Sequence, residues 1–356
     1  MKNLSFDKPK NPRFSCGPTK KPDEWSLNKI NKKYLGRYHR ASDIKTFIEE
    51  QLFRIKKILK IPESYEIFLM PGSCTGAMEA VIWNLFGKRE ITSIVYDYWG
   101  LEWLKDLKKL NLQVDERISL DGTLPSLDDI PSKNDLFFVW TGTTTGISIN
   151  NLNFLSEKRK GIVVSDITSA AFIYDIPWKK IDVSVFSWQK ALGSESQHGV
   201  IVMSPKAIDS AVSRPIPKIF DFLKNNFIIN TPSLLTISDL AQCLDIFEKN
   251  GGLINSLEVC KNNKFVIDKW AEKNEYVINF IKDKKYQAIS PVYLVFKKKI
   301  KYEKLFRFLS DNEIAYDIKN YRLANPGIRI WTGPTIKKND LIALTNWLDW
   351  CFNKFK

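Results

Sequence analysis

The sequence predicts an α/β protein, with a large domain on a mainly parallel sheet flanked by helices and a smaller C-terminal α+β domain behind it. Three observations predict this. Apolar strand-like runs alternate with helical periods from Ser42 to Trp188. After Thr231 the texture changes to two long helices followed by a short mixture of strands and helices. The chain of 356 residues also exceeds the roughly 250–300 at which a single core stops growing. The expected division is an N-terminal arm over 1–15, a large domain over 16–258 and a small domain over 259–356.

In the first part, Ile44, Ile48, Leu52, Ile55 and Leu59 recur at a helical period between Ser42 and Lys60, with Ser42 placed to cap the start. YEIFLMPGS (65–73) reads as a buried strand running into a turn, and TGAMEAVIWNLFG (75–87) as the helix after it. The alternation continues through strand ITSIVYD (91–97), helix LEWLKDLKKL (101–110), and strands DLFFVWTG (135–142), GIVVSD (161–166), DVSVFSW (182–188) and GVIVMSP (199–205). Helices follow over 231–252, ended by paired glycines, and from Leu253 onward, the second leading out of the large domain. PVYLVFKK, KYEKLFRFLSDN, AYDI, GIRIWTG and a terminal helix sharing Leu341, Leu344, Leu348 and Cys351 on one face make up the last unit as strand, helix, strand, strand and helix.

Composition narrows the function. With 44% hydrophobic and 26% charged residues the chain is an ordinary globular protein. No apolar segment followed by a cleavage site opens it and no apolar run is long enough to span a bilayer, so the expected address is the cytoplasm, away from any membrane. Five widely spaced cysteines, none in a CxxC pair, read as reduced thiols. Two histidines, His39 and His198, leave clustered metal sites little to be built from, and no metal ligand is assigned. A formal charge of +14 favours anionic partners. Nucleic acid is one such partner, but the lysines are scattered in interrupted clusters and no nucleic-acid-binding motif accompanies them. Acidic small molecules are the expected ligands instead.

Ligands of open α/β sheets bind beyond the carboxyl ends of the strands, so the strand exits carry the chemistry. They read PGSCTG after residue 70, TGTTTG after Trp140, Asp166, and Gln189-Lys190. In PGSCTG, Gly72 and Gly76 permit a tight turn, and the N–H groups of Cys74, Thr75 and Gly76 open a helix whose dipole attracts phosphate; a plain turn is the alternative. Asp166 ends an apolar strand, where a carboxylate needs a partner. Lys190 stands 24 residues later at a neighbouring strand end. The two form either an ordinary ion pair or a pyridoxal phosphate site, in which the lysine joins the cofactor aldehyde and the aspartate keeps the pyridine nitrogen protonated.

VSDITSAAF followed by FSWQKALGSESQHG resembles the cofactor segment of phosphoserine aminotransferases, in the class V branch of fold-type I pyridoxal phosphate enzymes. NPRFSCGPTKKP, GRYHRAS, WTGTTTG, NTPS and PGIRIWTG extend the resemblance over nearly the whole chain in the family's order. It implies a fold-type I transferase with a seven-stranded sheet, Lys190 as the cofactor-bonding lysine and Asp166 as the pyridinium partner. It further implies Trp99 as the ring-stacking aromatic, Thr143 as a cofactor contact, and Gln189, Cys74 and Thr75 around the phosphate. Asn230 and Thr231 match a pair that reaches the neighbouring subunit's cofactor, so a homodimer with shared sites is implied; alone they read as a helix cap before Pro232. Arg329 resembles the carboxylate-binding arginine, and His39 and Arg40 the pair that holds the substrate's second anionic group. Many family members carry arginine where Thr75 stands here, which shifts phosphate recognition toward Arg40, His39 or another basic residue such as Arg322.

The activity so implied is reversible amino transfer from L-glutamate to 3-phosphohydroxypyruvate, giving O-phospho-L-serine and 2-oxoglutarate. It serves serine biosynthesis, with phosphorylated hydroxythreonine of vitamin B6 synthesis as a second substrate. An alanine:glyoxylate or serine:pyruvate aminotransferase keeps the cofactor and changes the substrate. A cysteine desulfurase would need a mobile catalytic cysteine, and none of the five sits in a recognisable loop for one.

Overall fold

The inner strands of the large sheet are buried on both faces because both faces are covered. In β4 (Asp135–Val139), Leu136 and Phe138 enter one core while Phe137 and Val139 enter the other. The same alternation splits Val200 and Val202 from Ile201 and Met203 in β7. A computed structural model describes residues 6–224, 228–322 and 324–356.

In chain order the elements are α1 (Ser42–Ile58), β1 (Glu66–Pro71), α2 (Ser73–Leu85), β2 (Ile91–Val95), α3 (Tyr98–Lys109), β3 (Val114–Ile118), β4, β5 (Val163–Asp166), β6 (Val183–Phe186), β7 (His198–Met203) and α4 (Pro205–Asp209). There follow α5 (Leu234–Lys249), α6 (Gly252–Lys273), β8 (Val277–Asn279), β9 (Val292–Phe296), α7 (Tyr302–Asp311), β10 (Gly327–Ile330) and α8 (Lys338–Phe355). The large sheet is seven-stranded in the order β1-β7-β6-β5-β4-β2-β3, parallel throughout except that β7 runs against both β1 and β6. A second, antiparallel sheet has the order β10-β9-β8. Helix α6 runs unbroken through residues 258 and 259 and packs on α8, β8, β9 and α5.

Helix α2 packs on β7, β1 and β6 on the side lined by Phe68, Met70, Ile201 and Met203. Helix α1 buries Ile44, Phe47, Ile48, Leu52 and Ile55 on the opposite side and lies against α5. Among the described residues no helix is long and apolar enough to cross a membrane.

Three local readings change. Ala41, not Ser42, is the N-cap of α1, and no side chain bonds there. AYDI is not a strand; Tyr316 and Lys319 make only isolated bridges, to Arg13 and Ile328. VDERI (114–118) forms the edge strand β3, whose charged alternation has no apolar run to reveal it.

Candidate active site

Five exits of the large sheet open on one cup, lined by Cys16, Gly17, Ser73, Cys74, Thr75, Trp99, Trp103, Thr143, Asp166, Ser169, Gln189, Lys190, Tyr321 and Arg329. Register explains the meeting. β4, β5 and β6 are parallel neighbours, with Val139 opposite Asp166 and Asp166 opposite Val185. Their exits at Thr143, Asp166 and Lys190 therefore leave the same edge.

Lys190 is 7% exposed, and its Nζ donates to Thr143 Oγ1 at 2.7 Å and Ser169 Oγ at 2.9 Å. Burial lowers its amine to about 8, against the opposing pull of the Asp166 charge. Asp166 accepts from the Thr168 N–H at 2.9 Å and the Trp103 indole N–H at 3.3 Å. Among the described residues no salt bridge joins Lys190 to Asp166. The ordinary ion pair is thus not what the two residues make; each is held by neutral partners and both face the cup.

The floor is the start of α2. Its N-cap is Gly72 at φ 80°, with no side chain bonded to the first turn, so the dipole end opens into the cup. Gln189 ties that turn to the exit of β6, accepting from Ser73 Oγ at 3.2 Å, while Ser73 and Ser187 hydroxyls lie 2.9 Å apart. Gly199 of β7 lets the helix come this close, because a Cβ there would stand 2.1 Å from the Ser73 carbonyl oxygen. Thr75 is exposed at the lip, and burial pushes the Cys74 thiol well above its ordinary value.

The wall is aromatic. Asp97 caps α3 by accepting the Gly100 N–H at 2.8 Å, and burial raises its carboxyl to about 6. Trp99 then stands beside Trp103, with centroids 6.2 Å apart, and beside Tyr321 at 6.1 Å in a stacked arrangement. Arg329 arrives from β10 of the small sheet, 8% exposed, donating through Nη1 to the Thr143 carbonyl at 3.2 Å while its buried Nε has no partner.

Among curated proteins the chain is 36% identical over 98% of its length, and 98% of the relative's, to the phosphoserine aminotransferase of Methanosarcina mazei. The chain belongs to the phosphoserine aminotransferase family. The phosphoserine aminotransferase of Rhodococcus jostii is 24% identical over 96% of the chain. No family model matches the sequence. Among solved structures, the phosphoserine aminotransferase of Cytophaga hutchinsonii superposes with a TM-score of 0.83 over 96% of this chain and 99% of that one, at 17% identity. A ureidoglycine-glyoxylate aminotransferase of Bacillus subtilis gives 0.85 over 99% and 95%, at 15% identity. Structural likeness at these identities fixes the aminotransferase fold and is blind to substrate.

This member of the phosphoserine aminotransferase family brings Lys190, Asp166, Cys74, Thr75, Trp99, Thr143, Gln189 and Arg329 together in one chain. Four expected residues lie outside the cup. Arg40 is exposed and His39 half-buried before α1, while Asn230 and Thr231 are exposed in a loop beside Pro71 and His198. Sequence reasoning missed Ser169, Trp103, Tyr321 and Gly199. Ser169 was legible in the hydroxyl run of DITSAAF, whereas the others are recognisable only once the elements pack.

The cup suits pyridoxal phosphate on its own terms. An uncapped helix start for a phosphate, a carboxylate held without a cation, a buried lysine of lowered basicity and an indole wall are the donor set that cofactor requires.

Proposed function

We propose that the chain is a phosphoserine aminotransferase that uses pyridoxal 5′-phosphate to move an amino group between L-glutamate and 3-phosphohydroxypyruvate. The observation that carries the reading is the unpaired placement of Lys190 and Asp166 across one cup over the open end of α2. Full-length similarity to a protein of that name supports the substrate.

When bound, pyridoxal phosphate supplies an electron-poor ring that takes up the electron pair left when the substrate α-carbon loses its proton. The chain does the rest. The first turn of α2, Thr75 and Gln189 would hold the cofactor's phosphate, Trp99 its ring and Asp166 its pyridine nitrogen. Lys190, whose amine is partly neutral near pH 7, takes the proton from the α-carbon of glutamate and returns one to the α-carbon of the product. Thr143 and Ser169 aim its Nζ at 2.7 and 2.9 Å. Arg329 binds the substrate α-carboxylate.

The second anionic group falls to His39 and Arg40 of a partner copy, with Asn230 and Thr231 reaching the partner's cofactor phosphate, in a homodimer with shared sites. The exposure of Arg40, Asn230 and Thr231 in a single chain supports this. Arg322, beside Tyr98 and Tyr321 at the rim, is a further cation for the substrate's phosphate, standing in for the arginine that many family members carry at the position of Thr75. Five free cysteines suit a cytoplasmic enzyme.

Borohydride treatment of the loaded protein followed by peptide mass analysis tests the reading. The cofactor mass is expected on Lys190, and phosphoserine should discharge the visible absorption faster than alanine. Fixation on another residue, or a preference for alanine, overturns it.

A further inference from the structure

Tyr321 lies on the turn leading into β10, half-buried, and belongs to none of the sequence motifs that point to the reaction. Its ring is inserted between two parts of the site. One face stacks with Trp99 at 6.1 Å and 29°, and the Arg329 guanidinium carbon lies 5.1 Å from its centroid. Tyr98 meets it edge-on at 5.3 Å, and the Arg322 guanidinium sits over both rings at 4.7 and 5.3 Å.

What holds a substrate-binding arginine decides how much charge it has left to offer. A carboxylate support would neutralise the guanidinium and compete with an incoming acid. A ring face steadies the cation through its quadrupole and leaves the N–H donors free. Arg329 has the second kind of support. Among the described residues it makes no salt bridge, one N–H goes to the Thr143 carbonyl, and its Nε is buried without a partner.

We infer that Tyr321 is a positioning residue, which holds Arg329 for the substrate carboxylate and locks it in register with Trp99. This rests on the aminotransferase reading above. The tyrosine acts through its ring rather than its hydroxyl. It touches no reacting atom, so it sets the binding of acids and leaves the proton transfer at Lys190 alone.

The test compares Tyr321→Phe and Tyr321→Leu in the full cofactor-loaded chain, using glutarate, a dicarboxylate that cannot transaminate, as the calorimetric probe. Tyr321→Phe should bind glutarate and turn over as the parent does. Tyr321→Leu should weaken glutarate binding and raise KM for both substrates about tenfold, mid-range for a desolvated cation–π contact, with kcat within about twofold. Tyr321→Met, which refills the volume without a π face, stands in if the leucine variant does not fold. Unchanged glutarate affinity in Tyr321→Leu or Tyr321→Met overturns the inference, as does a loss in Tyr321→Phe equal to that in Tyr321→Leu. A parent protein that neither binds glutarate nor transaminates overturns the aminotransferase reading instead.

Discussion

Gly199→Ala is expected to disable cofactor binding from a position that does not line the cup. An added Cβ would lie 2.1 Å from the Ser73 carbonyl oxygen, 2.8 Å from the Ser73 carbonyl carbon and 2.7 Å from the Ala77 Cβ. Ser73 and Ala77 are successive turns of α2, so the helix cannot tilt about one contact to relieve the other. Gly199 is paired with Met70 in the sheet, which restrains β7 from retreating. The first turn of α2 must therefore move by about 1 Å, at an overpacking cost of roughly 1–3 kcal/mol. Bringing that turn back to the phosphate would cost up to the same roughly 1–3 kcal/mol, so the cofactor dissociation constant should rise by about 5- to 150-fold. Equilibrium titration of the apo protein, followed by visible absorption, measures it, with a thermal melt of the same sample. A Gly199→Ala protein with parental melting and cofactor affinity within twofold would refute the argument. So would one that melts early yet binds normally, because then the strand, not the helix start, has yielded.

Other outcomes follow from charges. The Lys190 amine, lowered by burial to about 8, should make the rate of cofactor loading rise with pH and level off above about 8; a rate still climbing through pH 10 contradicts this. Its folded value lies below the unfolded one, so the unfolded chain binds more protons between about pH 8 and 10.5, and apo stability should rise across that window in the parent but not in Lys190→Met. His198, 3% exposed and lowered by burial to about 4, accepts the Ser233 N–H at 3.1 Å. Stability from keeping it neutral is complete above about pH 6.5 and is lost as pH falls toward 4, by up to roughly 3 kcal/mol; a His198→Gln protein with the same acid melting curve would refute that. Finally, mixing Arg40→Ala with Lys190→Ala subunits should restore about a quarter of parental activity, the share of sites that draw an intact residue from each subunit. No recovery after subunit exchange would exclude shared sites.

Much of this was legible in the chain. Buried parallel strands write themselves as continuous apolar runs, and each exit carried a residue whose chemistry is out of place at the end of such a run: Asp166 after GIVVS, Lys190 after VFSWQ. β3 was not legible, because an edge strand half open to water has no apolar run to display. Nor was the role of Gly199, Trp103 or Tyr321, for what matters about each is a distance to an element far away in sequence. The ion pair expected as one option for Asp166 and Lys190 failed for a related reason: hydroxyls and an indole, supplied by other segments, outbid direct contact.

Thr143 serves two masters with different atoms. Its hydroxyl receives Lys190 and its carbonyl receives Arg329, one arriving from β6 of the large sheet and the other from β10 of the small one. In the language of machining, it is a shared datum. A shift of the β4 exit would carry the amine and the guanidinium in the same direction. The two sheets are thus referenced to one another through Thr143, with Ser169 and Tyr321 as the second supports of the amine and the guanidinium.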